Sequence, residues 1–368
     1  MTREVGGSLT YHAWHLGVRG IELEEEADPL VLVRGSEFNH NKQKEFTDDL
    51  GHMGTGTTKM DSYATGATAE PEFTDHLRYC EGWEDVLLLL LGSDDGEGAV
   101  RKTTVTTGVY QYDYGVNVSN PQDPYFATLY NDYAKTEDDC WKYEDALLNK
   151  FELKGDNSSA PTYTAGFMSN FPKIRQPSIA RTFPATTVFP KPSNVKIYMA
   201  PLGTYANLSA ISSYQFPCYS EFGLSINNNV TNDPCSDDAF GTTTKYLGER
   251  DGEFNLTLPW KSTTKDLEYN FITGSSDTSL TEVTDLNDYK TVWIVMENGA
   301  IGSTQYNYQT ILKIPKIHMT AVDSPQSGND AKKIELKGTI AETGTSSFME
   351  ASVITSLSDL HIDNTASG

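Results

Sequence analysis

The sequence predicts a mainly β protein built from two tandem copies of one module. The 368-residue chain has many Thr, Ser, Asn, Tyr and Gly residues, and its apolar strings are mostly short, as in β-rich proteins. One polar stretch occurs twice: SEFNHNKQKEFTDDLGHMGTGTTK (36–59) and SEFGLSINNNVTNDPCSDDAFGTTTK (220–245) share their first and last three residues. The segments that follow correspond in type and order, which is the signature of an internal repeat.

Each copy of this polar stretch leads into a predicted strand. DGEFNLTL (251–258) alternates apolar and polar residues, with Phe254 and Leu256 on one face, which is the period of a half-buried strand. EPEFTDHL (70–77) aligns with it and is predicted to keep Phe73 on the inward face, but it places Asp75 at the position of Leu256. Both segments are therefore predicted to be strands, but their apolar positions match imperfectly.

A helix is predicted after the strand in each copy. CEGWEDVLLLLLG (80–92) has apolar residues at helical spacing, and Gly92 suits a left-handed helix end. Its apolar stripe consists of Trp83, Val86, Leu87, Leu90 and Leu91. STTKDLEYNFITG (262–274) occupies the same place in the second copy with a weaker stripe. We expect the first stripe to pack in the core of its own chain, with a neighbouring subunit as the alternative.

Two further pairs of predicted strands complete the module. PYFATLYNDYA (124–134) corresponds to YKTVWIVMEN (289–298), and WKYEDALLNKFELKG (141–155) corresponds to YNYQTILKIPKIHMT (306–320). The segments that precede the two polar stretches correspond loosely. The same elements therefore follow one another twice.

Composition changes along the chain predict the domain boundaries. The first module spans 1–172 and the second 193–355, and a Pro-rich connector over 173–192 separates them because proline suits extended segments. Residues 93–124, acidic and then Tyr-rich, are predicted to be a surface excursion of the first module. Residues 356–368 are predicted to be a flexible tail.

The charge balance excludes one large class of function. Acidic residues outnumber basic ones by 51 to 28, which argues against nucleic-acid binding through phosphate neutralisation. The longest apolar run, 86–91, is far shorter than the roughly 20 residues that cross a bilayer, and the N-terminus lacks an apolar leader. We therefore expect a soluble protein that is made in the cytosol and has no membrane partner. Its cysteines are expected to be reduced, although Cys218 and Cys235 could pair in an oxidising setting.

Motifs for catalysis or metal binding are missing from the sequence. It contains no GxGxxG after a strand, no GxxxxGK[ST], no GxSxG and no HExxH. His12 and His15 have a usable spacing but no acidic or cysteine neighbour, so they are interpreted as polar strand residues. The acidic segments 93–98 and 232–238 lack the spacing of an EF-hand and are interpreted as solvated loops. We expect no enzyme activity, no cofactor and no metal.

The order of these elements resembles the major tail tube proteins of long-tailed bacteriophages, over nearly the whole chain. The resemblance rests on apolar spacing and glycine placement rather than on signature residues. The segments that carry it are GVRGIELEEEADPLVLVRGSEF, ATAEPEFTDHLRYCEGWEDVLLLLLG, FATLYNDY with KYEDALLNKFELKG, and ILKIPKIHMTAVDS with KKIELKGTI.

This resemblance implies two tandem tail-tube modules, each a β-sandwich or partial barrel with one flanking α-helix. Such modules form rings, and the rings stack into a hollow tube through which DNA passes during ejection. A ring usually contains six modules, so three chains would form a trimeric, pseudo-hexameric ring. The implied location is the virion tail, with assembly in the host cytoplasm. The implied partners are other copies of the chain and the tape-measure, tail-tip and terminator proteins, while DNA passes without specific binding.

The resemblance also assigns roles to particular residues. Carboxylates on the channel wall would repel the DNA backbone. By strand alternation these are Glu70 and Glu72, with Asp251 and Glu253 as their counterparts, and the alternative is an ordinary solvated strand face. The two polar hairpins would reach from ring to ring. The hairpin residues predicted to make that contact are Phe38, Asp48, Lys59, Phe222, Asp233 and Lys245.

Two alternatives stay open from the sequence. A ring of six chains would have the same function, with both halves forming one elaborate subunit. A β-sandwich that binds carbohydrate or acts as an adhesin would use some of the 20 tyrosines and 5 tryptophans as stacking surfaces.

Overall fold

The computed structural model describes the chain in several segments. They are 11–17, 31–33, 37–52, 57–92, 101–115, 125–132, 140–170, 172–175, 187–233, 244–261, 264, 266–268, 271, 288–324, 332–342 and 348–360. Within them the protein is mainly β, as predicted. None of the helices in these segments is long and apolar enough to cross a membrane.

The described segments contain ten strands in the first half and nine in the second. Those of the first half are β1 (Tyr11–Gly17), β2 (Val31–Val33), β3 (Glu37–His52), β4 (Thr57–His76), β5 (Arg101–Thr106), β6 (Val109–Gly115), β7 (Phe126–Asp132), β8 (Cys140–Asp156), β9 (Thr162–Asn170) and β10 (Lys173–Arg175). Those of the second half are β11 (Val195–Pro201), β12 (Glu221–Asn227), β13 (Thr231–Asp233), β14 (Thr244–Tyr246), β15 (Asp251–Pro259), β16 (Tyr289–Ala300), β17 (Asn307–Asp323), β18 (Lys333–Ile340) and β19 (Glu350–Thr355).

Helices are few and short in the same segments. They are α1 (Trp83–Leu91) and α2 (Leu208–Ile211), with 3-10 turns at Pro192–Asn194 and Ser212–Tyr214. Helical residues also occur at 266–268 and at 271, inside the predicted second helix. The rest of that segment from 272 lies outside the described residues, as do 93–98, 176–186 and 361–368.

The strands of the two halves pair in the same order. In the first half the order is β1-β7-β8-β9-β4-β3, and every pair is antiparallel. In the second half the order is β11-β16-β17-β18-β15-β12, again antiparallel throughout. In addition, β10 pairs with β8, and β19 pairs with β17. The pairing order of the first half therefore recurs in the second.

The irregularities of the long strands β8 and β17 recur as well. The register of β8 shifts against β7 over 143–146 and against β9 over 148–150. The register of β17 shifts against β16 over 314–317 and against β18 over 319–321. The spacing between the two shifts is the same in both strands, so position 143 corresponds to 314 and position 150 to 321. Bulges bend and twist a strand, and the two long strands carry their register shifts at the same spacing.

The two halves are joined edge to edge. β12 pairs antiparallel with the C-terminal part of β8, with Asn227 opposite Lys150 and Glu221 opposite Asp156. β19 pairs on one side with β17 and on the other with β6, which belongs to the first half. All described strands except β13 and β14 thus belong to one connected sheet. The halves form one body, and their division into two modules stays a prediction.

Alternating side chains build a core that runs through both halves. In β15 the predicted inward residues Phe254 and Leu256 are buried, and Glu253 is exposed. Near the end of β4 the predicted inward residue Phe73 is buried, and Asp75 is buried beside it. The predicted strand faces are therefore confirmed at these positions.

Helix α1 is the predicted helix, and it is buried on every side rather than along one stripe. All nine of its residues are buried, including Glu84 and Asp85. The ring of Trp83 lies 5.4 Å from that of Tyr163, and its Nε1 donates a hydrogen bond to Thr310 Oγ1 in β17 at 3.0 Å. The helix packs within its own chain, between the two halves.

The Tyr-rich part of 93–124 differs from its prediction as a surface excursion. β5 and β6 form a hairpin, and β6 also pairs with β19. Val109, Tyr112 and Tyr114 of β6 are buried. The tyrosines of β6 alternate with polar residues, so one face of the strand can pack against α1 once β19 covers its edge.

Candidate functional site

The candidate site is the polar face, which we define as the solvent-exposed surface of the sheet β3-β4-β9-β8-β12-β15-β18. It results from strand alternation: in β12, Phe222 and Leu224 point into the core while Glu221 and Ser225 point outward. The charged side chains described on this face are eight carboxylates, Glu70, Glu72, Glu152, Asp156, Glu221, Asp251, Glu253 and Glu335, and four lysines, Lys150, Lys154, Lys333 and Lys337. The face therefore carries a net negative charge.

All four acids that were predicted to face the channel lie on this polar face. Glu70, Asp251 and Glu253 are exposed, and Glu72 is half-exposed. Direct pairing leads from Glu72 across β9, β8 and β12 to Asp251. Four strand spacings of about 4.8 Å place these two residues roughly 19 Å apart on one transverse row.

The strand register corrects which of these acids correspond between the halves. Asn41 lies opposite Glu70, and Ser225 lies opposite Glu253. Asn41 and Ser225 occupy the same position after the two SEF tripeptides, 36–38 and 220–222. Glu70 is therefore the counterpart of Glu253, and Glu72 is not. The shared Glu-Phe dipeptide suggested an alignment two residues out of step, which keeps every side chain on the same face.

Two open depressions mark the polar face. One of about 320 Å³ is bordered by Asn39 and Asn41, whose side-chain amides donate to Glu72 and Glu70, each at 3.4 Å. The other, of about 410 Å³, lies over β12 and is bordered by both carboxylates and lysines. In the described segments, no group of three or more His, Cys, Asp or Glu side chains is placed to hold a metal ion. The depressions thus expose both negatively and positively charged side chains to solvent.

Two of the residues predicted to contact a neighbouring ring are buried within the chain. Phe222 is 3% exposed and belongs to the core. Lys245 is 4% exposed, and its Nζ donates a hydrogen bond to Asn170 Oδ1 at 2.6 Å. Both side chains are used inside the chain, which corrects the prediction that they reach another ring.

Burial does not contradict the prediction for the other four residues that were expected to contact a neighbouring ring. Phe38 is half-buried, and its ring packs against that of Tyr143 with centroids 5.7 Å apart. Asp48, Lys59 and Asp233 lie in strands β3, β4 and β13, but their side chains lie outside the described residues.

A second acidic cluster, at the start of α1, was missed from the sequence. Glu81, Glu84 and Asp85 are all buried, and the Glu84 carboxylate accepts hydrogen bonds from Cys80 N at 3.0 and 3.1 Å. Burial raises the pKa of Glu84 to about 7, and the nearby Asp85 charge adds to this against the lowering effect of the hydrogen bonds. The one signal in the sequence is the uninterrupted apolar run 86–91, which indicates a helix buried all round.

Comparison with known proteins leaves the family open. No protein-family profile and no curated protein sequence matches this chain. Its function is therefore inferred from the repeated pairing order and from the polar face.

Proposed function

We propose that this chain is the subunit of a bacteriophage tail tube, a structural and non-catalytic virion protein that assembles as stacked rings around a channel for DNA. The observation that carries the proposal is the repeated pairing order. The strands of both halves join into one sheet, and one face of this sheet is negatively charged. Two repeats already join edge to edge through β8 and β12. Further copies joined in the same way would continue the sheet around a closed wall, which removes exposed strand edges.

In the proposed ring, the polar face lines the channel. The core and α1 cover the opposite face of the sheet, so the polar face is the one left to meet water. Its carboxylates repel DNA phosphates, and DNA therefore slides past without adhering. Lys154 forms an ion pair with Glu152, which reduces the attraction of this lysine for phosphate.

Three chains complete the proposed ring, because each chain supplies the strand order twice. The resulting trimer has pseudo-sixfold symmetry. The same proposal includes assembly in the host cytoplasm, incorporation into the virion tail, and contacts with tape-measure, tail-tip and terminator proteins.

Electron microscopy of the concentrated, purified protein tests this function. We expect hollow tubes whose end-on averages show six densities, together with a mass per ring equal to three chains. Six chains per ring would keep the tube and discard the two-repeat subunit. Monomers alone, even after a tail-tip nucleus is added, would overturn the tube and make glycan binding by a β-sandwich the next property to test.

A further inference from the structure

We propose that the end of β17, from residue 321 onward, pairs antiparallel with β3 of a second copy, in the register that β8 and β12 use within one chain. The inference rests on the proposed function for its partner, a second copy of this chain. Its register rests on the repeated strand pairing alone.

The contact between β8 and β12 supplies the template. Along one edge of β8, β7 pairs with residues 140–146 and β12 pairs with residues 150–156. The opposite edge of β8 is occupied by β10 and β9. Two strands therefore lie end to end along one edge of β8, and the second of them comes from the other half.

β17 presents the same edge, and no described strand takes the second position along it. β16 pairs with residues 307–318 on this side, while β19 and β18 occupy the opposite side. The register shifts match position 150 of β8 with position 321 of β17, so the segment 150–156 corresponds to residues from 321 onward. No described strand pairs with 321–324 on the β16 side, so this edge begins where β16 ends.

β3 presents the complementary edge. It pairs with β4 on one side, and no described strand pairs with its other side. Its counterpart β12, which begins within the second SEF tripeptide as β3 begins within the first, pairs with β15 on one side and with β8 on the other. Glu152 lies opposite Ser225 within the chain, so the transferred register places Asp323 of one copy opposite Asn41 of the next.

The side chains and backbone of both edges suit such a contact. Asn41 and Asp323 are exposed on the polar side, and the Asn41 amide can donate to the Asp323 carboxylate. An unpaired strand edge offers backbone N–H and C=O groups that bond favourably to another strand. The two edges belong to different strands, so the contact is head to tail, and its repetition closes a ring where the rotation between neighbouring copies divides a full turn evenly.

A cysteine pair tests the register directly. In the double variant Asn41→Cys with Asp323→Cys, the two thiols lie opposite each other across the proposed contact, within the 4.4–6.8 Å range of Cα separations that a disulfide requires. Mild oxidation of concentrated protein should yield covalent dimers and trimers on non-reducing gels. Mass spectrometry should identify the linked peptides.

Control variants show whether the disulfide link reports the proposed register. Glu152→Cys with Ser225→Cys, the equivalent pair inside the chain, should link within monomers at any concentration. Asn39→Cys with Asp323→Cys shifts the register by two residues and should give about tenfold less intermolecular product. Single-cysteine variants measure the background from the native thiols.

The outcomes separate this inference from the proposed function. Covalent oligomers without tubes would keep the contact and overturn the tube. Tubes in which the Asn41 and Asp323 cysteines stay unlinked, or in which the shifted pair links as well, would keep the tube and overturn the register. Absence of both tubes and intermolecular links would overturn both.

Discussion

Acidic residues of the same type meet opposite environments in this protein. Glu70 and Glu253 lie in water on the polar face, whereas Glu84 lies in the core beside Asp85 at the start of α1. Strand alternation predicted the first group, because exposure there depends on neighbours along the strand. The burial of Glu84 was not predictable in this way, since it depends on strands far away in the sequence that enclose the helix.

Replacing Glu84 with Gln should make stability less dependent on pH. The carboxyl has an ordinary pKa of 4.5, which burial raises to about 7, so the folded chain binds a proton more tightly than the unfolded chain. Below the unfolded pKa both states are protonated and nothing is lost. As pH rises from there to the folded pKa, the group costs up to about 3 kcal/mol of stability. Urea unfolding of both proteins at about pH 5 and about pH 8 measures this loss.

The control for this prediction is Glu253→Gln, which removes a carboxylate that is exposed. It should leave the loss of stability between the two pH values as large as in the wild type. If Glu84→Gln loses as much stability as the wild type between these pH values, burial of this carboxyl does not carry the effect.

At the scale of elements, the sequence predicted those strands whose periodicity lies in their own residues. Strands β8, β15, β16 and β17 and helix α1 follow the predicted segments. The core position of β6 was missed because tyrosines suit both surface and interior, and the choice depends on pairing with β19. The register between β8 and β12 has no local signature either, because their side chains alternate equally well alone.

The contact between β8 and β12 requires a glycine at position 155. A Cβ added to Gly155 would lie 2.4 Å from Phe222 Cε1, and the Phe222 ring is buried and cannot swing into water. Gly155→Ala should therefore cost about 1–3 kcal/mol of unfolding free energy. Urea unfolding of both proteins, fitted with one common m value, measures this cost.

Gly223 provides the comparison, because it lies in β12 of the same contact on the polar face. A Cβ there has no neighbour within 4 Å. Gly223→Ala should change the unfolding free energy by less than about 0.5 kcal/mol. Equal losses in the two variants would contradict the steric explanation.

At the scale of the whole molecule, the repeated pairing order agrees with the internal repeat predicted from the two polar stretches, which share their first and last three residues. What joins the repeats was not predictable, because pairing between strands so far apart leaves no pattern in either one. The alignment from the Glu-Phe dipeptide was two residues out of step for a related reason: alternation has a period of two, so such a shift keeps all faces intact.

Reversing charge on the polar face should slow DNA movement while tubes still form. Glu72→Lys with Glu253→Lys replaces repulsion of phosphate by attraction on two rows of the sheet. Particles that carry this variant should release DNA more slowly than wild type in a fluorescence assay, and the difference should shrink as salt is raised.

Asp266→Lys serves as the control, since Asp266 is exposed on the short helical segment outside the polar face. It should leave the rate of release unchanged. Wild-type release from the double variant, or lost assembly with normal release from the remaining particles, would argue against a channel lined by this face.

The strand pairing inside the chain also determines which contacts of the proposed ring depend on protein concentration. The contact between β8 and β12 is intramolecular, so its effective concentration is set by the connection and does not fall on dilution. A contact between copies depends on protein concentration. In the proposed ring, dilution should therefore open only the contacts between chains, which are every second contact between repeats. A ring built from whole chains would contain an even number of the proposed repeats, so a ring of the wrong size would differ by two repeats at a time.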